Sequence, residues 1–233
     1  MQEEEFGSLN KKLDEIDANI TLAEDHIGIR KAINRYLLYF QAADSNGITS
    51  NIDWDLPEVW SDVGKGRWVG SRSNLEFFDQ RPALAKMPGA LVQHESVCKV
   101  IEVDAAGTTA KVSEFSPGFK CLALGRSQVW SMAKYYHDLV KVNGEWKIWH
   151  WHWFIYIEGE AALGWLYQNR SYWKECLHEA LDSIHCKNIT VPPQPSPYTD
   201  NYRKDGFMYQ YPEPPNPYGF WDGSDDLKKT RAY

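Results

Sequence analysis

One dipeptide constrains the fold of this chain more than any other feature: Asn143-Gly144, set between two long runs of β-branched and aromatic residues. A type I′ turn needs positive φ at both central residues, which Asn and Gly adopt at little cost, so the pair predicts a tight antiparallel hairpin. Its outgoing strand is expected over roughly 126–142 and the returning strand over 145–157. With Val142 opposite Glu145, Leu139 falls opposite Ile148, His137 opposite His150, and Tyr135 opposite His152. Directly opposed side chains project from one face with Cβ atoms about 5 Å apart. Three imidazoles and a phenol are therefore expected to converge. The other face collects Trp149, Trp151 and Trp153 with Tyr136, Asp138 and Val140, and is expected to pack against the carboxyl-terminal arm or another subunit.

Imidazoles titrate near neutral pH and can both give and take protons, so a cluster of them suits acid–base work. His94 adds to the cluster from a run over 91–103, where it shares parity with Val92, Ser96, Cys98 and Val100. Upstream, Ile29, Ala32, Ile33, Tyr36, Leu37, Phe40 and Ala43 form one helical stripe that Asp44 completes. A carboxylate ending a buried stripe is either a cap or a proton carrier with a raised pKa. Tyr36 on the same stripe could hydrogen-bond a substrate oxygen. Arg72 and Arg126 could hold a phenolate or carboxylate. His150-x-His152 could also chelate a metal with His94 or His137, but no carboxylate or cysteine motif accompanies it, and no metal and no cofactor are expected.

The rest of the chain frames this hairpin. Leu9, Leu13, Ile16 and Ile20 give residues 8–24 a modest amphipathic helical pattern, and Ser45-Asn46-Gly47 closes the stronger helix that follows. Residues 48–90 read as irregular, with a short helix near 75–79. Strands are expected over 91–103 and 108–115, then a loop at Pro117-Gly118. A helix is expected over about 160–185. Of the 12 prolines, eight lie after residue 190, interleaved with tyrosines. The reading is therefore a domain over 1–190 and a Pro/Tyr-rich arm over 191–233 that covers this subunit or a neighbour. Aromatics reach 14% and the net charge is −7, so large flat side chains must line a core or pocket, and nucleic acid and membrane are poor partners. The amino terminus is acidic where a signal peptide is basic, and the cysteines Cys98, Cys121, Cys176 and Cys186 show no paired spacing, which together predict a cytoplasmic protein with free thiols.

Together, Tyr39-x-x-x-x-Asp44, the strand holding His94, Tyr136-His137-Asp138 and Asn143-Gly144-Glu145-Trp146-Lys147-Ile148 resemble the SnoaL-like branch of the nuclear transport factor 2 fold over roughly residues 22–157. That resemblance implies an α+β fold, a cone-shaped α+β barrel in which a strongly curved antiparallel sheet is closed by amino-terminal helices, here with an extra carboxyl-terminal helix and the arm. It also implies acid–base chemistry without metal or coenzyme, with Asp44 and His94 at positions where members often keep a catalytic pair and His150 and His152 on a strand that contributes cavity residues. Cys98 stands where many relatives have a polar amide. The size, aromatic load and long tail look more like the diarylpropane lyases of aromatic catabolism.

The expected function is a cofactor-independent lyase on a hydroxylated aromatic, with Asp44, His94, His150 and His152 as proton carriers and Tyr36, Tyr135, His137 and Arg72 binding a small aromatic substrate. The alternatives are a ketosteroid-type isomerase leaning on Asp44 and Tyr36, a scytalone-type dehydratase, and a non-catalytic ligand-binding or assembly subunit. A homo-oligomer is expected, because the tryptophan face needs cover.

Overall fold

The computed structural model describes residues 2–56, 58–63, 66–79, 88–122, 127–164, 194–196 and 213–222. Helix α1 runs unbroken from Gln2 to Gln41, because no Gly-Pro or Asn-Gly breaker separates the amino-terminal pattern from the strong apolar stripe. It stops where Ala43 turns to φ 54°. A short α2 (Ser45–Thr49) follows, with Asp44 as its N-cap. The segment expected to be irregular holds β1 (Trp60–Asp62), β2 (Arg67–Val69) and α3 (Ser71–Asp79). Then come β3 (Leu91–His94), β4 (Val97–Val103), β5 (Thr109–Leu122), β6 (Ser127–Val142) and β7 (Glu145–Glu160).

All seven strands join one sheet in the order β2-β1-β7-β6-β5-β3, with β4 also paired to β5. The long strands curl around α1. Ile29, Ile33, Tyr36, Leu37 and Phe40 pack with Ala110, Val112, Leu139, Ile148 and Trp151 into one core. The hairpin end is tied to the helix by Asp25, which accepts the Trp146 indole N–H at 3.0 Å and pairs with Lys141. Gly28 leaves room for that indole, since a Cβ there would stand 2.8 Å from Trp146 Cδ1. Of the two apolar residues after the turn, Trp146 packs on the middle of α1 and Ile148 enters the core.

Two expectations about strands are corrected. The run 91–103 is broken after His94, and Cys98, at φ 54°, is exposed rather than facing the interior. Conversely, β5 continues straight through Pro117-Gly118 instead of looping. Glu95 N–H donates to Pro117 O at 2.9 Å, so the side of Pro117 that lacks a donor faces the gap between β3 and β4, where no ladder bond is lost.

The hairpin register is the third correction. Val142 pairs with Glu145 and Leu139 with Ile148 as the turn requires, but Asp138 then pairs with His150. Trp149 is an extra residue on β7, a bulge that reverses the parity from His150 to Ile155. His137 now faces Trp151, Tyr135 faces Trp153, and His152 faces Tyr136. The sheet interior therefore holds His137, Tyr135, Trp151 and Trp153, while His150 and His152 share the outer face with Asp138 and Tyr136. A second irregularity between Met132 and Ala133 restores the parity, so that Glu158 opposes Ser131.

On the outer face Trp149 meets Trp221, with ring centroids 5.2 Å apart. Lys111 sits 4.6 Å from the same Trp221 ring, and Tyr218 hydroxyl contacts Thr109 Oγ1 at 3.0 Å. Gln194 and Arg67 exchange both backbone hydrogen bonds at 2.8 Å. The expected helix over 160–185 does not begin at Glu160, which ends β7 and leads into a turn; residues 165–185, with Cys176, and also Cys186 and Arg126 lie outside the described residues.

A Cβ at Gly47 would overlap the ring of Tyr39, which crosses the start of α2. Gly47→Ala is expected to cost about 1–3 kcal/mol through overpacking, read as a lower midpoint in chemical denaturation with the far-ultraviolet circular dichroism of the folded state unchanged.

Candidate functional site

The interior of the curled sheet brings four of the expected site residues together. His137 and Tyr135 come from β6, His94 from the end of β3, and Tyr36 from α1. Tyr135 lies between the two imidazoles, with ring centroids 5.4 Å from His137 and 6.4 Å from His94. Tyr36 approaches His137 edge-on at 6.5 Å and Trp151 at 5.9 Å. Trp153 stands perpendicular to His94 at 4.4 Å, and Phe40 closes its other side at 5.7 Å. All these side chains are buried.

Charges support this aromatic cluster from two sides. Glu114 on β5, wholly buried, lies 3.2 Å from His137 Nε2 and 2.9 Å from Lys99 Nζ, and it accepts the Ser96 hydroxyl at 2.5 Å. Burial pushes the Glu114 carboxyl up, but the His137 hydrogen bond and charge, the Lys99 ammonium and the Ser96 hydroxyl outweigh it and hold the group below its ordinary range. An ionised Glu114 can only accept, so His137 Nε2 carries the hydrogen, and in the neutral ring Nδ1 keeps the lone pair. On the second side, Lys120 pairs with Glu158 at 2.6 Å, its ammonium 4.5 Å from the Trp153 ring.

Several polar atoms in this interior are buried without a hydrogen-bond partner among the described residues: His137 Nδ1, Trp151 Nε1, Trp153 Nε1, Ser116 Oγ and Ser131 Oγ. Leaving a buried polar group unpaired costs about 1–3 kcal/mol each, so these five atoms are open to a hydrogen bond from a ligand or an ordered water. Gly118 shapes the same corner. A Cβ there would lie 2.7 Å from His94 Nδ1 and 3.0 Å from Ser131 Oγ, so only glycine lets those two atoms approach.

Four other candidates lie elsewhere. Asp44 is exposed and accepts the Gly47 amide at 3.0 Å, so it caps α2 instead of ending a buried stripe. Arg72 is on the solvent side of α3 and pairs with Glu76 one turn on. His150 Nδ1 binds Asp138 at 2.8 Å on the outer face and stacks on Trp60 at 4.8 Å. His152 Nδ1 lies 3.4 Å from Asp62, which also binds Arg67 and Ser196. The expected meeting of His137 with His150 and His152 does not occur, because the Trp149 bulge turns the two outward. The expectation that all three tryptophans face outward fails for the same reason, and only Trp149 does.

Sequence reasoning missed Glu114, Lys99, Lys120 and Glu158. A signal was present in β5: Ala110, Val112 and Glu114 share one parity, so a carboxylate continues an inward apolar stripe.

Because the folded-state Glu114 carboxyl is held below 4.5, its stabilising charge is fully present above that value and is lost as pH falls through the lowered one. Wild type should therefore exceed Glu114→Gln in stability by about 1.5–3 kcal/mol near neutrality, and denaturant titrations at a series of pH values should show that gap closing below 4.5.

The model of the SnoaL-like domain family matches residues 21–152, more than half of the chain. No curated protein matches in sequence. Among solved structures, a protein of Novosphingobium aromaticivorans named for scytalone dehydratase is 13% identical with a TM-score of 0.52, the match covering 61% of this chain and 91% of that one. The hexachlorocyclohexane dehydrochlorinase LinA-type3 of Novosphingobium barchaimii is 15% identical with a TM-score of 0.52, covering 62% and 94%. These likenesses share the architecture described above, a sheet curled around α1. With its inner face lined by aromatic and ionisable side chains, this chain is a cone-shaped α+β barrel and belongs to the SnoaL-like domain family.

Proposed function

We propose that the chain is a lyase that works by acid–base catalysis on a hydroxylated aromatic substrate of the diarylpropane-diol type. The observation that carries this reading is the placement of His94 and His137 on either side of Tyr135 among buried aromatic rings, with His137 held by a buried carboxylate. Flat walls from Tyr36, Tyr135, Trp151 and Trp153 suit aryl rings, and the chemistry requires only that protons be moved.

In the proposed sequence His137 Nδ1 takes the phenolic proton while His94 protonates the benzylic hydroxyl. The carbon–oxygen bond breaks, water leaves, and a quinone methide remains. His94, neutral after that transfer, then takes the proton of the terminal hydroxymethyl group, and His137 keeps the phenolic proton for the last step. Its carbon–carbon bond breaks to release formaldehyde, the electron pair forms the new double bond, and the ring regains aromaticity as a phenolate that is reprotonated. The product is a stilbene. Glu114 fixes the His137 tautomer and favours the imidazolium once formed, a positioning role. The similar folds of a dehydrochlorinase and of a protein named for scytalone dehydratase support elimination as the class of reaction. An isomerase on the ketosteroid pattern is less favoured, because the carboxylate it would use, Asp44, caps α2 in solvent.

Incubation with phenolic diaryl diols should give products lighter by water and formaldehyde. A product lighter by water alone would assign a dehydratase, and one of unchanged mass would reject elimination. His94→Ala and His137→Ala should each lower kcat/KM by about 10²–10⁴. His150→Ala and His152→Ala, on the other face, should change it less than tenfold; a larger loss there than at His137 would overturn the assignment.

A further inference from the structure

Helix α1 carries two apolar stripes, and only one is used by the core. From Glu4 to Glu24 every residue is exposed. Within that length Phe6, Leu9, Leu13, Ile16 and Ile20, with Ala23 and then Ile27, recur at alternating steps of three and four. The six large side chains of this row are between 50% and 67% exposed. That is the a/d seam of a coiled coil, sustained for three heptads or about 32 Å at 1.5 Å per residue. The row does not continue into the core stripe. Its next positions are Arg30 and Asn34, and the buried residues Ile29, Ile33 and Tyr36 lie on a different side of the helix.

A helix of this length with all its packing surface in water gains no tertiary support, which is where most helix stability in proteins arises. We propose that residues 4–27 form a parallel two-stranded coiled coil with a second copy of this chain. Charge placement selects that occupant and orientation. In parallel strands each g position faces the e position of the following heptad on the other chain. Here this pairs Lys12 with Asp17 of the second copy, twice by symmetry, while Glu5 meets Asn10 and Asn19 meets Glu24. No like charges oppose one another. Both copies then present their barrels from the same end of the coil.

The test uses the full chain in light scattering and sedimentation equilibrium. Wild type should assemble, and Leu13→Glu/Ile16→Glu should lower the mass at least twofold with its barrel tryptophan fluorescence unchanged. Lys12→Asp should weaken association by about tenfold, and Lys12→Asp/Asp17→Lys should restore it by recreating the pair with opposite sense. A monomeric wild type, a Leu13→Glu/Ile16→Glu protein of unaltered mass, or a double charge reversal that fails to restore association would each overturn the proposal.

Discussion

The extra residue at Trp149 is the constraint on which the rest of this molecule depends. Side chains alternate strictly along a strand, so a single inserted residue exchanges the two faces for everything beyond it. Before the bulge, Trp146 and Ile148 point to the helix; after it, Trp151, Trp153 and Ile155 do. Without that insertion His150 and His152 would enter the interior and two tryptophans would lie on the outer face. With it, the interior gains wide flat rings and keeps two histidines, and the displaced pair takes carboxylate partners on the outer face. A segment beside β7 accommodates the bulge: Asn51 and Asp53 bond the backbone of Ile148, and Trp60 of β1 pairs with His150.

Electrostatics complete what the bulge begins. The inner face contains two ion pairs that water barely reaches, Glu114 with Lys99 and Lys120 with Glu158. Buried pairs are a poor source of net stability, because desolvation offsets most of their attraction. Their effect here is orientation. Glu114 is held ionised by three partners and so dictates which nitrogen of His137 carries hydrogen, a choice that an imidazole in water would leave open. The same low dielectric makes each unpaired indole and hydroxyl costly.

The parts of this arrangement that were legible in the sequence share a property: each is decided within a few residues. Asn143-Gly144 fixes its own turn, with φ values of 51° and 82°. The stripe from Ile29 to Phe40 identifies its own buried side, and the elements from Tyr39 to Ile148 carry enough of the pattern for the fold to be recognised. Tyr36, Tyr135, His94 and His137, candidates from the sequence, lie together in the interior. Asp44 had the right position but the wrong environment, since capping the next helix needs only the amide of Gly47 three residues away.

The chain itself therefore settled the hairpin, the helix that fills it and the curled α+β architecture, because turn chemistry and hydrophobic period act locally. Which residues share the inner face was decided only in three dimensions. Nothing adjacent to Trp149 marks it as the inserted residue; its place follows from how β7 must bend to pair with β6 on one side and with β1 on the other. Glu114 and Lys99 likewise acquire their meaning from β4 and β6 lying on either side of β5. Registration between strands is a property of the whole sheet, and the chemistry of the inner face inherits that dependence.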